Sequence, residues 1–421
     1  MKLLESSKEF MKFFLKNNYI SNTKQTRETK QIITHLYHDF LEAYKYLVNI
    51  KQNTNYTNLK IKKITDAKHL RFPKSYSSHS FPDAVRDHIK KYGCSELTFT
   101  FSLYGRKITI YFVLEKEDEN KGSQIFHLYV ESVILWLHIL NKYASKACSS
   151  TLILYFFFTS LSKKLPNSNI DTLNTIHINT AFTTTCPRDS EIVVYRKEEW
   201  FKVFIHESFH NFALDFSDMN NTEIHKLILQ IFPVKSEVNL YETYTEFWAE
   251  IINALFCSFH SLKDKNNLKE FLSNSDFFIQ FERNYSFFQM VKILRFMGLT
   301  YKDLYSPSKK SQLMRANLYK ENTNVLSYYV IKLVLLNNYQ GFLLWCSQFN
   351  TSLLQFKKTL EAQKQFVGFI YKNYNKRNML ENVLNTEYFL DELDRKKKTN
   401  AQKNGYNYLL NNLRMTICEL G

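Results

Sequence analysis

Glycine and proline are scarce in this chain, with 8 and 6 residues among 421. So few breakers argue for long helices and few tight turns. Clustered cysteines are missing too. Cys94, Cys148, Cys186, Cys257, Cys346 and Cys418 form no CxxC pair, so neither a zinc knuckle nor a redox dithiol is indicated. A chain of this size needs no disulfide staples, and free buried thiols in a reducing compartment are the expectation. Long apolar runs are also lacking. "TLILYFFF" and "VILWLHIL" fall well short of the roughly 20 residues that span a bilayer. The opening "MKLLESSKEFMKFFLKNN" has charges breaking every apolar run, unlike a secretory signal. These absences together describe a soluble intracellular protein.

What is present is a globular composition, 44% hydrophobic and 23% charged, long enough for one large core or a few smaller ones. The bias toward Lys, Asn, Ile, Tyr and Phe is that of an AT-rich genome, so a single aromatic or Asn carries little meaning. The formal charge is +16, from 56 basic and 40 acidic residues. Such a balance favours nucleic acid, anionic membranes or acidic proteins as partners. Most of it is scattered Lys. The densest run is "DRKKKTNAQKN" near residue 400, and no nucleic-acid motif of familiar spacing accompanies it.

Periodicity divides the chain. Residues 1–50 have helical spacing, and residues 49–84 read as a polar connection. "ELTFTFSLYGRKITIYFVLE" alternates around Tyr104-Gly105-Arg106, which predicts a β-hairpin. "FHLYVESVILWLHILNKYA" is helical in spacing. "TLILYFFF" predicts a central strand, "TIHINTAFTTT" an edge strand and "EIVVYR" a short strand before the next helix. Beyond Ile251 strand signals fade and helix-like stretches follow. Three regions result: 1–84, helical then polar; 85–260, strand-rich and carrying the motifs; and 261–421, a helical lobe. The fold class is α+β.

Between the short strand and the helical lobe lies "FIHESFHNFALD". On a helix, residues four apart share a face, so His206 and His210 can point two imidazoles at one ion. Glu207 sits about 100° round, within reach of water on that ion, where it would act as general base. This is the mechanical content of HExxH. The motif needs a third, negative ligand. Some 30 residues on, "YETYTEFWAEIINALF" places Glu242, Glu246 and Glu250 on one face of a largely apolar helix. Three carboxylates on one face repel each other unless something positive faces them, and a dication would serve.

HESFH followed by a helix carrying Glu242 resembles the zincin metallopeptidases of the gluzincin type. The likeness covers roughly residues 180–258, and the composition also resembles metallopeptidases inferred in large DNA viruses. The resemblance implies a strand-rich upper lobe, the motif helix beneath it, a helical lower lobe and a cleft between. It implies Zn2+ on His206, His210 and Glu242, with Glu207 as base and Glu246 hydrogen-bonded to a ligand histidine. Glu246 as the ligand, with Glu242 or Glu250 supporting, stays open. An edge strand beside the motif would pair with a peptide substrate. Such enzymes also need a donor for the oxyanion, and "NTNVLSYYVIKL" offers Tyr328 and Tyr329. His177, His225 and His260 are expected to be surface or core residues.

Two functions follow. One is a zinc-dependent peptidase acting on peptide or protein substrates. The other is a basic structural or nucleic-acid-associated protein, such as a virion component, that keeps the zincin scaffold without the activity.

Overall fold

In the computed structural model, residues 1–17, 19–20, 22–52, 56–119, 122–399 and 403–421 are described. The strands among them are β1 (Asn58–Lys63), β2 (Ser95–Leu103), β3 (Arg106–Leu114), β4 (Thr151–Phe158), β5 (Leu173–Asn174), β6 (Ala181–Thr183), β7 (Asp189–Val194) and β8 (Glu321–Asn322). One mixed sheet has the order β1-β2-β3-β4-β7-β6, while β5 and β8 pair separately. β2 and β3 form the expected hairpin. Its turn residues Tyr104 and Gly105 both have positive φ, 51° and 77°, a backbone that follows the strand twist. β3, β4 and β7 run parallel, and β6 returns antiparallel as the edge.

A parallel centre must be covered on both faces, which is why β4 reads as an unbroken apolar run. Leu152, Leu154 and Phe156 face the main core. Tyr155 and Phe157 face a smaller cluster with Phe81, Val85 and Ile89. Those residues come from the stretch expected to be mere connection. It supplies β1 and leads into helix Asp83–Tyr92, which covers the outer sheet face. β1 escaped the sequence reading because all its residues but Leu59 are exposed, so no alternation exists to find.

Two further expectations need correction. "TIHINTAFTTT" is strand only at Ala181–Thr183. Its first half is a helical turn, Thr175–Ile178, started by a hydrogen bond from the Asn174 N–H to His177 Nδ1 at 3.0 Å. Nor are all six cysteines free: Cys148 and Cys186 are joined in a disulfide. β4 and β7 run parallel side by side, so the loops entering them meet, and these two residues lie in those loops. Cys94, Cys257, Cys346 and Cys418 are free thiols.

The long helices implied by scarce breakers are present: Arg27–Lys51, Leu240–Ser261 and Leu268–Phe296. Helix Ser123–Leu140 is long and apolar enough to cross a membrane, but 67% of it is buried inside the protein. It serves as a core helix, with Trp136 stacked on Phe209. The principal core is continuous from Met11 to Leu420 and so spans all three sequence regions. The final residues are threaded into it. Glu199 accepts the N–H groups of Met415 and Thr416, and Glu282 accepts those of Ile417 and Cys418. The basic run near 400 lies mostly outside the residues whose side chains are described.

Candidate metal centre

"WFKVFIHESFHN" forms the motif helix, Trp200–Asn211. It has no Gly or Pro to break it, and its apolar residues anchor it under the sheet. Trp200 and Phe204 meet Phe156 of β4 edge-on, with ring centroids 5.1 and 5.7 Å apart. Every residue of this helix is buried, so a histidine here must find partners within the protein. Helix Leu240–Ser261 crosses beneath and carries the glutamates.

His206, His210 and Glu242 converge. Their candidate ligand atoms all lie within 4.8 Å of one another, the one such grouping among the described residues. The two Nε2 atoms are 3.1 Å apart, and Glu242 Oε2 lies 3.1 Å from the first and 3.3 Å from the second. Each histidine is held from behind by a carboxylate. His206 Nδ1 lies 2.8 Å from Glu246 Oε2, and His210 Nδ1 pairs with Asp215. Both rings therefore turn Nε2 inward, the arrangement that orients metal-binding imidazoles. Glu242, not Glu246, faces the common point.

Electrostatics agree. Burial works against the charged form of both histidines, but Glu242 and Glu246 at His206, and Asp215 and Glu242 at His210, outweigh it. Both pKa values are raised above 6.5, that of His210 strongly. Burial likewise opposes ionisation of Glu242, yet His210 and His206 hold its carboxyl far below the usual range. A dication binding here must displace protons from the imidazoles. Zinc affinity is therefore expected to weaken as pH falls, beginning above pH 6.5, because these pKa values are raised. Titration calorimetry near pH 7 in buffers of different ionisation enthalpy should show net proton release. Identical apparent enthalpies would contradict it.

Glu207 is buried beside the triad, and burial pushes its carboxyl up to about 7, with His206 and His210 opposing. A carboxyl near neutrality suits a general base. Next to it is a small recess of ≈ 30 Å³, about the room of one water, open to solvent and lined by Val203, Ile178, Ala181, Lys163 and Tyr328 among others. β6 thus borders the site, although as a strand of three residues.

The two candidate tyrosines separate cleanly. Leu326–Ile331 is a π-helical turn, a distortion frequent at functional sites. It aims the Tyr328 hydroxyl at Glu242 Oε2, 2.9 Å away. Tyr329 points elsewhere and donates to the Leu413 carbonyl at 2.6 Å, so it does not join the group around Glu242. The acidic face is also corrected. Glu246 Oε1 pairs with Lys202 and Glu250 Oε1 with Lys332, each at 2.5 Å. Two of the three carboxylates thus have lysine partners, and only Glu242 is aimed at the common point. His177, His225 and His260 lie outside the triad.

Asp215 and Lys202 were missed by sequence reading. Asp215 lies beyond the helix end, and Ala213 at φ 54° reverses the chain so that it meets His210. A Gly there would have signalled the turn. Lys202 is one turn before His206 and looked like an ordinary helix lysine.

No protein-family model, curated protein or solved structure shows significant similarity to this chain.

Proposed function

We propose that the chain is a zinc-dependent peptidase of the gluzincin type. The observation that carries this reading is the convergence of His206, His210 and Glu242 beside Glu207 in an open recess. Two imidazoles and a carboxylate are donors that zinc takes in catalytic sites, which keep a further position open. Glu246 and Asp215 supply the outer carboxylates that such histidines need. Zinc held there would supply a Lewis acid that polarises a carbonyl and acidifies water. Glu207 takes the proton from the attacking water and passes it to the leaving nitrogen. Tyr328 donates its hydroxyl hydrogen to the developing oxyanion, a role compatible with its contact to Glu242. An extended substrate would lie along β6 and pair with its free edge. The mixed sheet with β6 as an antiparallel edge, the motif helix and the glutamate helix beneath support a zincin-like core. An intracellular setting, in host cytoplasm or virion, belongs to the same proposal, although the Cys148–Cys186 bridge weighs against a strongly reducing one.

The test is hydrolysis of an unstructured polypeptide by purified protein. Cleavage should stop with a chelator and return with zinc. Tyr328→Phe should lower kcat by about 10²-fold with zinc retained, and Tyr329→Phe should leave kcat near wild type. Zinc-loaded protein that cleaves no peptide would sink the peptidase reading. The charge of +16 favours a second reading, a nucleic-acid-associated protein on a zincin scaffold. It predicts salt-sensitive binding of DNA or RNA that survives Glu207→Gln.

A further inference from the structure

We propose that the Cys148–Cys186 bridge is a redox site that controls how firmly the His210 side of the centre is held. The inference rests on the metal reading of that centre. Two hydrogen-bonded routes run from the bridge toward His210, one ending at its chain neighbour Asn211 and the other reaching His210 itself. In the first, the Cys186 N–H donates to the Asn211 carbonyl at 3.0 Å, at the end of the motif helix. Ser149, next to Cys148, donates its hydroxyl to Asn211 Oδ1 at 2.6 Å. Asn211 Nδ2 then donates to Thr183 Oγ1 and the Thr184 carbonyl, at 2.9 and 3.2 Å, tying β6 to the helix. In the second, the Thr185 and Ser217 hydroxyls are 3.0 Å apart, and Ser217 donates to Asp215 Oδ1 at 2.9 Å. The other oxygen of Asp215 holds His210 Nδ1.

Both loops also carry non-glycine residues in the left-handed region, Ser149 at φ 57° and Cys186 at φ 50°. Such conformations persist only where the surroundings fix them. The covalent bridge is one of those fixings. Without it, the loops lose the link that keeps Asn211 and Ser217 satisfied together. Cys148 is fully buried while Cys186 is partly exposed, which makes Cys186 the side of the bridge nearer solvent and the one at which attack is proposed.

The step is ordinary thiol–disulfide exchange with a dithiol protein. One thiolate of the dithiol attacks Cys186 Sγ, the Cys148–Cys186 bond breaks, and Cys148 leaves as a thiolate that takes a proton. The second thiol of the dithiol, as a thiolate, then attacks its own sulfur in the mixed disulfide and releases Cys186. The bridge gains two electrons and two protons, and the dithiol becomes a disulfide.

The experiment compares oxidised protein, protein reduced with a phosphine and alkylated, and the double variant Cys148→Ser/Cys186→Ser. Thiol titration verifies the states: four free thiols when oxidised and six after reduction, counted before alkylation. Zinc affinity is read by competition with a chromophoric chelator, and local order by hydrogen exchange. Reduction should weaken zinc binding by about 10–100-fold, the usual effect of losing outer support for a ligand. Exchange should quicken at 183–186 and 211–217 while helix Arg27–Lys51 stays protected, and the double variant should match the reduced form. Unchanged affinity and exchange after verified reduction would overturn the proposal. So would loss of protection throughout the chain, which makes the bridge a general staple. If no form binds zinc, the metal reading itself fails, and exchange at the two segments still decides whether the bridge is coupled to His210.

Discussion

Glu207→Gln is expected to lower peptide hydrolysis by about 10³-fold, within the range general-base removal costs, while zinc content stays at one equivalent. The glutamine keeps the size of the side chain and stays clear of the three ligands. It removes only the carboxylate that burial lifts to about 7. The assay pairs kcat/KM on a peptide with metal content on the same preparation. Loss of activity together with loss of zinc would point to a structural role for Glu207. Full activity in the variant would remove it from the mechanism.

The second large effect is on stability. Lys202→Met should destabilise the protein by about 3–5 kcal/mol, the cost of leaving one partner of a buried ion pair alone. Lys202 and Glu246 have side chains only 2% exposed, and their 2.5 Å contact faces the candidate centre from behind. Burial disfavours the Lys202 ammonium, but Glu246 and Glu199 more than offset it and raise its pKa. Without that ammonium, Glu246 stays buried with His206 as its hydrogen-bond partner and Lys332 acting on it from farther off. The double variant Lys202→Met/Glu246→Gln leaves no uncompensated charge and should recover most of the loss. Urea denaturation of the three proteins measures this. A single variant within about 1 kcal/mol of wild type would show that solvent already reaches the pair.

The parts of the site that sequence revealed are those set by local geometry. His206 and His210 share a face because the helical period puts them there. A glutamate repeat on an apolar helix marks the second element for the same reason. The choice among those glutamates depends on how the two helices are rotated against each other, which no local pattern records. Glu242 meets both Nε2 atoms, Glu246 meets an Nδ1, and Glu250 faces Lys332. Tyr328 and Tyr329 are neighbours in sequence and diverge as successive helix residues do, and how their turn sits against the glutamate helix decides that Tyr328 meets Glu242 and Tyr329 meets Leu413. The fold divides similarly. The hairpin and β4 follow from alternation and an apolar run, whereas exposed β1 and the Cys148–Cys186 pair depend on which strands lie side by side. The helix-like spacing beyond Ile251 extends to the carboxy-terminal tail. Its end is instead irregular chain in the core, held by Glu199 and Glu282.

The central claim is that His206, His210 and Glu242 hold one metal ion. Native mass spectrometry of the purified protein, as wild type and as His210→Ala, tests it most directly. The expected result is one zinc per chain in wild type and none in the variant, with both folded by circular dichroism. Wild-type protein that takes up no zinc, even after zinc is added at neutral pH, would contradict the account.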